Sequence, residues 1–327
     1  MRVKALYFVL IGCLSALLLT QAQPLAAQSK NKSPISEAQL AQLKGMEDTL
    51  AILAFAIVND SLEQARFAAC RVFIPTLVRA LKTENSFHYP FERLKSISII
   101  APPDSSFRIF TWQLFVHDSS YRYYGAIQMN KPKLELFPLM DHSMDMEYPM
   151  PVEDTLHHDN WYGALYYTIR QFESNAGRQY LLIGFDGFGF FDKRKVIDVL
   201  SFDKAKKPVF GANVFYTPEG ALRKEKRLIW EYSAEAKVRI NWDEQYQMVL
   251  MDHLIPMGSP YNRGITNVPD GSYDALKYEK KRWTYIEKVF NDSMEKPPFP
   301  EPILQGRGGA DIMGKGPKAK KQKTKSN

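Results

Sequence analysis

Apolar residues recur along this chain with two different periods. Between residues 33 and 90 they fall three and four apart, whereas from residue 95 to about 290 they alternate. Leu40, Leu43, Met46, Leu50, Leu53 and Ile57 trace one face of a helix that Ser33-Pro34 opens, with Glu37 near its positive end. Asn59-Asp60-Ser61 interrupts this face. A second helix is predicted from Leu62 to about Leu81, with Ala65, Ala69, Phe73, Leu77 and Leu81 inward and a kink at Pro75. The two helices read as one αα-hairpin that serves as a packing element, because no second copy follows as a helical repeat requires.

The alternating segments are rich in β-branched and aromatic residues, which suit a pleated, half-buried surface. Strands are predicted at 96–101, 107–116, 121–129, 134–139, 161–172, 179–185, 196–202 and 208–215. Further strands follow at 227–233, 237–242, 247–253, 273–278 and 282–290. Turn-forming runs such as Pro102-Pro-Asp-Ser-Ser106 separate them, and no helix-length segment intervenes. The fold class this predicts is mainly β (α+β). A helical hairpin packs on a large antiparallel β domain, which is a sandwich, a barrel or propeller-like. Phe202, Trp242 and Tyr278 each precede two charged residues and lie 40 and 36 residues apart, a spacing compatible with propeller blades. Any meander with an aromatic cross-strand partner shows the same pattern, however, and a dozen strands fill only three four-stranded blades.

The two ends of the chain differ from the body. Arg2 and Lys4 precede an apolar run from Ala5 to Leu19, followed by small residues at Ala22, Ala26 and Ala27. A charged start, a short apolar stretch and a small-residue exit describe a secretory signal peptide, cleaved after Ala22 or, as second choice, after Ala27. The run is shorter than the ~18 residues of a membrane span, so no transmembrane segment is expected after cleavage. Leu10-Ile-Gly-Cys13 resembles a lipobox, but the apolar run continues past the cysteine, which disfavours a lipoprotein. Without Cys13, Cys70 is the one remaining thiol. It lies in an apolar stretch and reads as buried and inert. Beyond residue 293 prolines, glycines and then lysines take over, as in a disordered tail. The expected division is signal peptide 1–22, helical hairpin 33–90, β domain 91–292 and tail 293–327.

Charge follows the same division. Of the formal net charge of +7, Arg2 and Lys4 carry two and residues 307–327 carry six, which leaves −1 on everything between. The near-neutral body excludes a nucleic-acid-binding domain with its own basic face. The lysine-rich tail either is merely solvated or meets an anionic envelope polymer.

Motifs for chemistry are sparse. The sequence holds no phosphate-binding loop, dinucleotide fingerprint, nucleophile elbow or zinc-protease helix. No cofactor is expected. Asp186-Gly187 with Asp192 has oxygen donors for calcium, but turn chemistry accounts for it better. His142, His157, His158 and Asp159, within an acid-rich run from 141 to 159, are the weak metal-ligand candidates, against a solvated loop. Asp252-His253 with Asp270 is the weak catalytic candidate, an acid–base pair if the fold brings these residues together. Tyr121, Tyr123, Tyr124, Trp161, Tyr162, Tyr166 and Tyr167 are strand-packing residues first and a sugar- or peptide-binding surface second.

Several segments are similar to an uncharacterised family of exported proteins in Bacteroidota. They are residues 99–112, 161–167, 180–187, 194–202 and 268–274, in that order along the chain. The resemblance implies a secreted or periplasmic protein and brings no activity, cofactor or catalytic residue. The expectation is therefore an exported soluble protein, a non-catalytic binding or envelope-associated module. Its partner would be an envelope polymer, a glycan or a protein. The alternative is a secreted hydrolase or metal-dependent enzyme using an Asp/His cluster.

Overall fold

The structure is a computed structural model and describes residues 34–116, 120–146, 150–259 and 264–290. The expected signal peptide with its lipobox, and the lysine-rich tail, lie outside the described residues. Those described gather into two compact units: 34–116 with 122–140, and 120–121 with 141 onward. The helical hairpin thus shares its unit with the first four strands, and the β segment that the sequence reads as one domain is divided.

In the first unit, α1 (Glu37–Asn59) and α2 (Glu63–Leu81) form the hairpin. Helix α1 begins three residues later than its proline suggested. Ser36 caps it by accepting from the Gln39 amide while Gln39 reaches back to the Ser36 backbone, a reciprocal box. The sheet is a meander of β1 (Ser98–Ile100), β2 (Phe107–Phe115), β3 (Tyr121–Met129) and β4 (Leu136–Met140), all antiparallel. Leu43, Leu50, Ile57, Phe73 and Leu77 of the helices share one core with Phe110, Trp112 and Leu114 of β2. The alternation along β2 ends in Arg108 on that same inward side. Its guanidinium donates to the carbonyls of Tyr89 (2.6 Å) and Ser86 (2.9 Å) and to Gln128 (2.8 Å), among the rings of Phe87, Phe91 and Phe110. Burial lowers its pKa to about 9, still high enough to keep it charged at neutral pH. Cys70 is a buried free thiol, and burial raises its pKa.

The second unit settles the β architecture as a sandwich of two open sheets. One sheet has the order β5-β9-β8-β7-β6, with β11 also on β8. Its strands are β5 (Leu156–His157), β6 (Leu165–Ser174), β7 (Gly177–Asp186), β8 (Asp192–Phe202), β9 (Pro208–Phe210) and β11 (Leu228–Ser233). The other has the order β10-β15-β14-β13-β12. It comprises β10 (Phe215–Tyr216), β12 (Ile240–Asp243), β13 (Met248–Gly258), β14 (Ile265–Glu279) and β15 (Arg282–Ile286). Phe172, Leu181, Ile183, Ile197 and Val199 from the first sheet pack on Val249, Met251, Leu276 and Trp283 from the second. Neither sheet closes into a barrel. Phe202 lies in one sheet and Trp242 and Tyr278 in the other, so their spacing marks no propeller blades.

Strand β8 carries two partners on one edge. Residues 192–197 pair with β11, and residues 200–202 pair with β9. Asp198 sits at the break between them, and Arg227 fills it. The Arg227 Nε donates to Asp198 (2.7 Å) and its Nη1 to the Pro151 carbonyl (2.7 Å), with both side chains fully buried. Gly211 closes the same gap by donating to the Val199 carbonyl (2.8 Å). Its φ of +91° and the Asp154 carbonyl oxygen, 2.7 Å from where a Cβ would stand, make glycine obligatory there. This turn also explains why the stretch read as one strand over 208–215 is really β9 and β10. The outer face of β8 is covered too, by Trp161, Tyr162 and Tyr166, so Val196–Leu200 reads as an unbroken buried run.

Asp198→Ala leaves the Arg227 charge buried without its counterion. It is expected to cost about 3–5 kcal/mol in urea unfolding, and the double variant with Arg227→Met is expected to recover part of that loss. A loss below about 1 kcal/mol for the single change contradicts this account of the gap.

Candidate functional site

The catalytic candidates lie on β13 and β14, where the ladder is interrupted. His253 alone opposes Asp270, Gly271 and Ser272, between the pairs Asp252↔Tyr273 and Leu254↔Pro269. Gly271, at φ +90°, lets the wider strand turn back into register. The fold brings His253 together with neither predicted aspartate. Asp252 accepts from the Arg239 amide (2.7 Å). Asp270 accepts from the Ser272 amide (2.9 Å) and hydroxyl (2.6 Å) and pairs with Lys288 (3.2 Å).

The partner of His253 is Asp274, which the sequence reading passed over. Asp274 Oδ1 lies 2.9 Å from His253 Nδ1 and accepts from the Lys288 amide (3.0 Å), while Oδ2 accepts from the Tyr285 hydroxyl. Burial, and then the bond to Asp274, push the Tyr285 pKa up. Asp274 is buried two residues before core residue Leu276, on the same face of β14. An acid at an inward position was the available signal. On the far side of the ring, His253 Nε2 has Glu287 at 3.9 Å and touches no hydroxyl or thiol among the described residues. Among the described residues the arrangement is an oriented imidazole with no nucleophile in contact with it.

The metal candidates are scattered. His142 Nδ1 lies 3.0 Å from Asp145 on an exposed 3₁₀ turn, Ser143–Met146. His157 is exposed on β5, and His158 and Asp159 continue into the following turn. Among the described residues no three His, Cys, Asp or Glu side chains are placed to hold a metal ion. At the glycine-rich loop, Lys193 donates to the carbonyls of Gly187 (3.0 Å) and Gly189, and Asp186 takes the Tyr162 hydroxyl and the Phe188 amide (both 2.8 Å). An ammonium thus occupies the oxygens that the calcium reading required.

A different place gathers unspent polar groups. At one end of the sandwich, the β6–β7 turn, the loop from β9 to β10 and the β14–β15 turn enclose a cleft of about 290 Å³. Asn175, Gln179, Asn213, Tyr216 and Lys281 are among its walls. Gln179 is buried, and its Oε1 accepts no hydrogen bond within the described residues. An acceptor left so is costly, about 1–3 kcal/mol. The side-chain amides of Asn175 and Asn213 are exposed and bond no other described residue. Tyr216 presents an aromatic ring with the Arg282 guanidinium 4.9 Å from its centroid. By contrast, in a larger groove of about 480 Å³ beside α1 the buried Glu47 and its neighbours Tyr89 and Arg93 are spent on one another. Glu47 takes the Tyr89 hydroxyl and the Arg93 amide (2.8 Å), and Asp48 pairs with Arg93.

No family model, curated protein or solved structure matches the chain. No helix among the described residues is long and apolar enough to cross a membrane.

The Ser272 hydroxyl, followed by Lys288, holds the Asp270 carboxyl down at about 2, against an ordinary 3.8. A depressed carboxylate adds stability that is complete above its unfolded-state pKa, and this contribution is lost as pH falls through about 2. Ser272→Ala is expected to move the Asp270 titration, followed by carbon NMR, up towards 3.8 and so to shrink the stability that is lost between pH 3.8 and about 2. An unmoved titration contradicts the assignment.

Proposed function

We propose that the chain is an exported, non-catalytic binding protein that takes a hydroxyl-rich ligand, a glycan, in the cleft at the end of its sandwich. In this reading it is one of the exported Bacteroidota proteins that it resembles, and it works in the periplasm or outside the cell. The signal-like first 22 residues support export. The observation that carries the binding reading is the orphaned Gln179 amide oxygen in the wall of a preformed cleft. A ligand hydroxyl supplies the donor that the protein withholds, and a half-turn of the terminal amide presents the oxygen to it. Asn175 and Asn213 offer a donor and an acceptor each, and the Tyr216 ring offers an apolar face for the carbon side of a sugar. Few convergent polar groups in a pocket of this size suit a sugar residue better than an extended peptide.

The hydrolase reading has the His253–Asp274 pair in its favour, and among the described residues lacks a nucleophile in contact with that ring. Both readings meet in one experiment, an oligosaccharide panel titrated calorimetrically into the full chain and then assayed for new reducing ends. Uptake of at least one glycan without cleavage is expected. Gln179→Leu and Asn213→Ala are each expected to weaken uptake about tenfold, the equivalent of one lost hydrogen bond of about 1.4 kcal/mol. No uptake, unaltered uptake by both variants, or turnover contradicts the proposal.

A further inference from the structure

We infer that the cleft selects a sugar bearing an oxyanion, an acidic saccharide rather than a neutral one, with Lys281 as the residue that reads the charge. This rests on the glycan reading above and sharpens it. Strands β14 and β15 are joined by a turn of two residues, since Glu279 pairs with Arg282 across it. Those two residues are Lys280 and Lys281, at φ +51° and +62°. A turn with both central residues left-handed favours Asn-Gly, and a side chain with a β-carbon is strained there. Two lysines take that geometry side by side here, and Lys206 and Lys288 take it singly in other connections of the unit. Strained backbone of this kind gathers at functional sites.

The charges themselves are unspent. Some exposed cations of this unit meet acids, as in Arg178–Glu173, Lys277–Glu279 and Lys288–Asp270, and others, such as Lys204 and Lys237, meet none among the described residues. Lys280, Lys281 and Arg282 have no carboxylate partner among the described residues, and no acid lines the cleft. Arg282 stacks on Tyr216, and its buried Nε bonds no other described residue. The cleft therefore has neutral amides and an aromatic ring in its walls and a cationic lip, on a chain whose body is otherwise close to neutral. A sugar ring that fills the walls brings its acidic substituent to the lip. A lysine ammonium attracts a carboxylate or a sulfate ester alike, so oxyanion is the class that the geometry defines.

The probes are a galacturonate oligomer, a sulfated galactose oligomer and the neutral galactose oligomer of equal length, each titrated into the full chain. At least one acidic oligomer is expected to bind ten or more times tighter than the neutral one, and its identity names the oxyanion. The advantage should shrink as salt rises from 20 to about 500 mM, because exposed charges are screened. Lys281→Arg should keep the preference. Lys281→Gly should lose it while raising the thermal midpoint, because glycine relieves the turn. A residue of purely structural value would lower the midpoint instead. Equal binding of acidic and neutral oligomers overturns this inference and leaves the glycan site standing. Binding of none of the three, with none in the wider panel, overturns the glycan site itself.

Discussion

The second unit is organised by one fully buried ion pair, Arg227 with Asp198. Strand β8 must serve β11 and β9 along one edge, and a ladder that changes partner exposes backbone groups at the change. The guanidinium of Arg227 answers this need. It neutralises Asp198, satisfies the Pro151 carbonyl and draws the segment from 151 to 154 across the outer face of the sheet. The amides of Lys226 and Arg227 both meet the Val152 carbonyl, and Ala212 meets the carbonyl of Lys226. Burying two charges brings little net stability by itself. Its value lies in register, because an unpaired charge in either alternative arrangement is far worse.

That pair also places the cleft. Gly211, closed against Asp154 at the same gap, launches the loop that carries Asn213 and Tyr216 to the end of the sandwich. Short β10 then runs parallel to β15, and the Trp283 amide meets the Val214 carbonyl (2.9 Å). The β6–β7 turn and the β14–β15 turn complete the rim. The two sheets thus hold three irregular segments in convergence around the cleft. Elsewhere in the interior some polar groups meet one another, while others, such as the Trp283 indole nitrogen, bond no other described residue. Tyr285 and His253 both satisfy Asp274, and the Tyr162 hydroxyl satisfies Asp186.

Periodicity made most of the architecture legible. The 3.6-residue stripe gave both helices within a few residues, and alternation located most of the strands. It failed where turn chemistry occurs inside a strand. Pro269-Asp270-Gly271 reads as a turn, yet it lies within β14, because a bulge at His253 absorbs it. Conversely, the apolar run 208–215 hides a break at Gly211. The polar keystones left weaker signals: Asp198 is an acid inside a run of core residues, and Asp274 an acid two residues before one. The cleft was not legible. Asn175, Asn213 and Lys281 are ordinary turn residues in sequence, and only the pairing of the two sheets makes them neighbours. Asp252, His253 and Asp270 lie near one another in sequence, yet each aspartate accepts from a backbone amide, of Arg239 and of Ser272, and His253 meets Asp274.

The central claim is that recognition occurs at the end of the sandwich and not at the polar cluster around His253. Side-chain amide NMR during titration with an acidic galactose oligomer tests it most directly. The account predicts that the amide signals of Asn175, Gln179 and Asn213 move together and saturate, while the His253 ring and the Tyr285 signals stay in place. Shifts centred on His253 and Asp274, with the three amides unmoved, would contradict it.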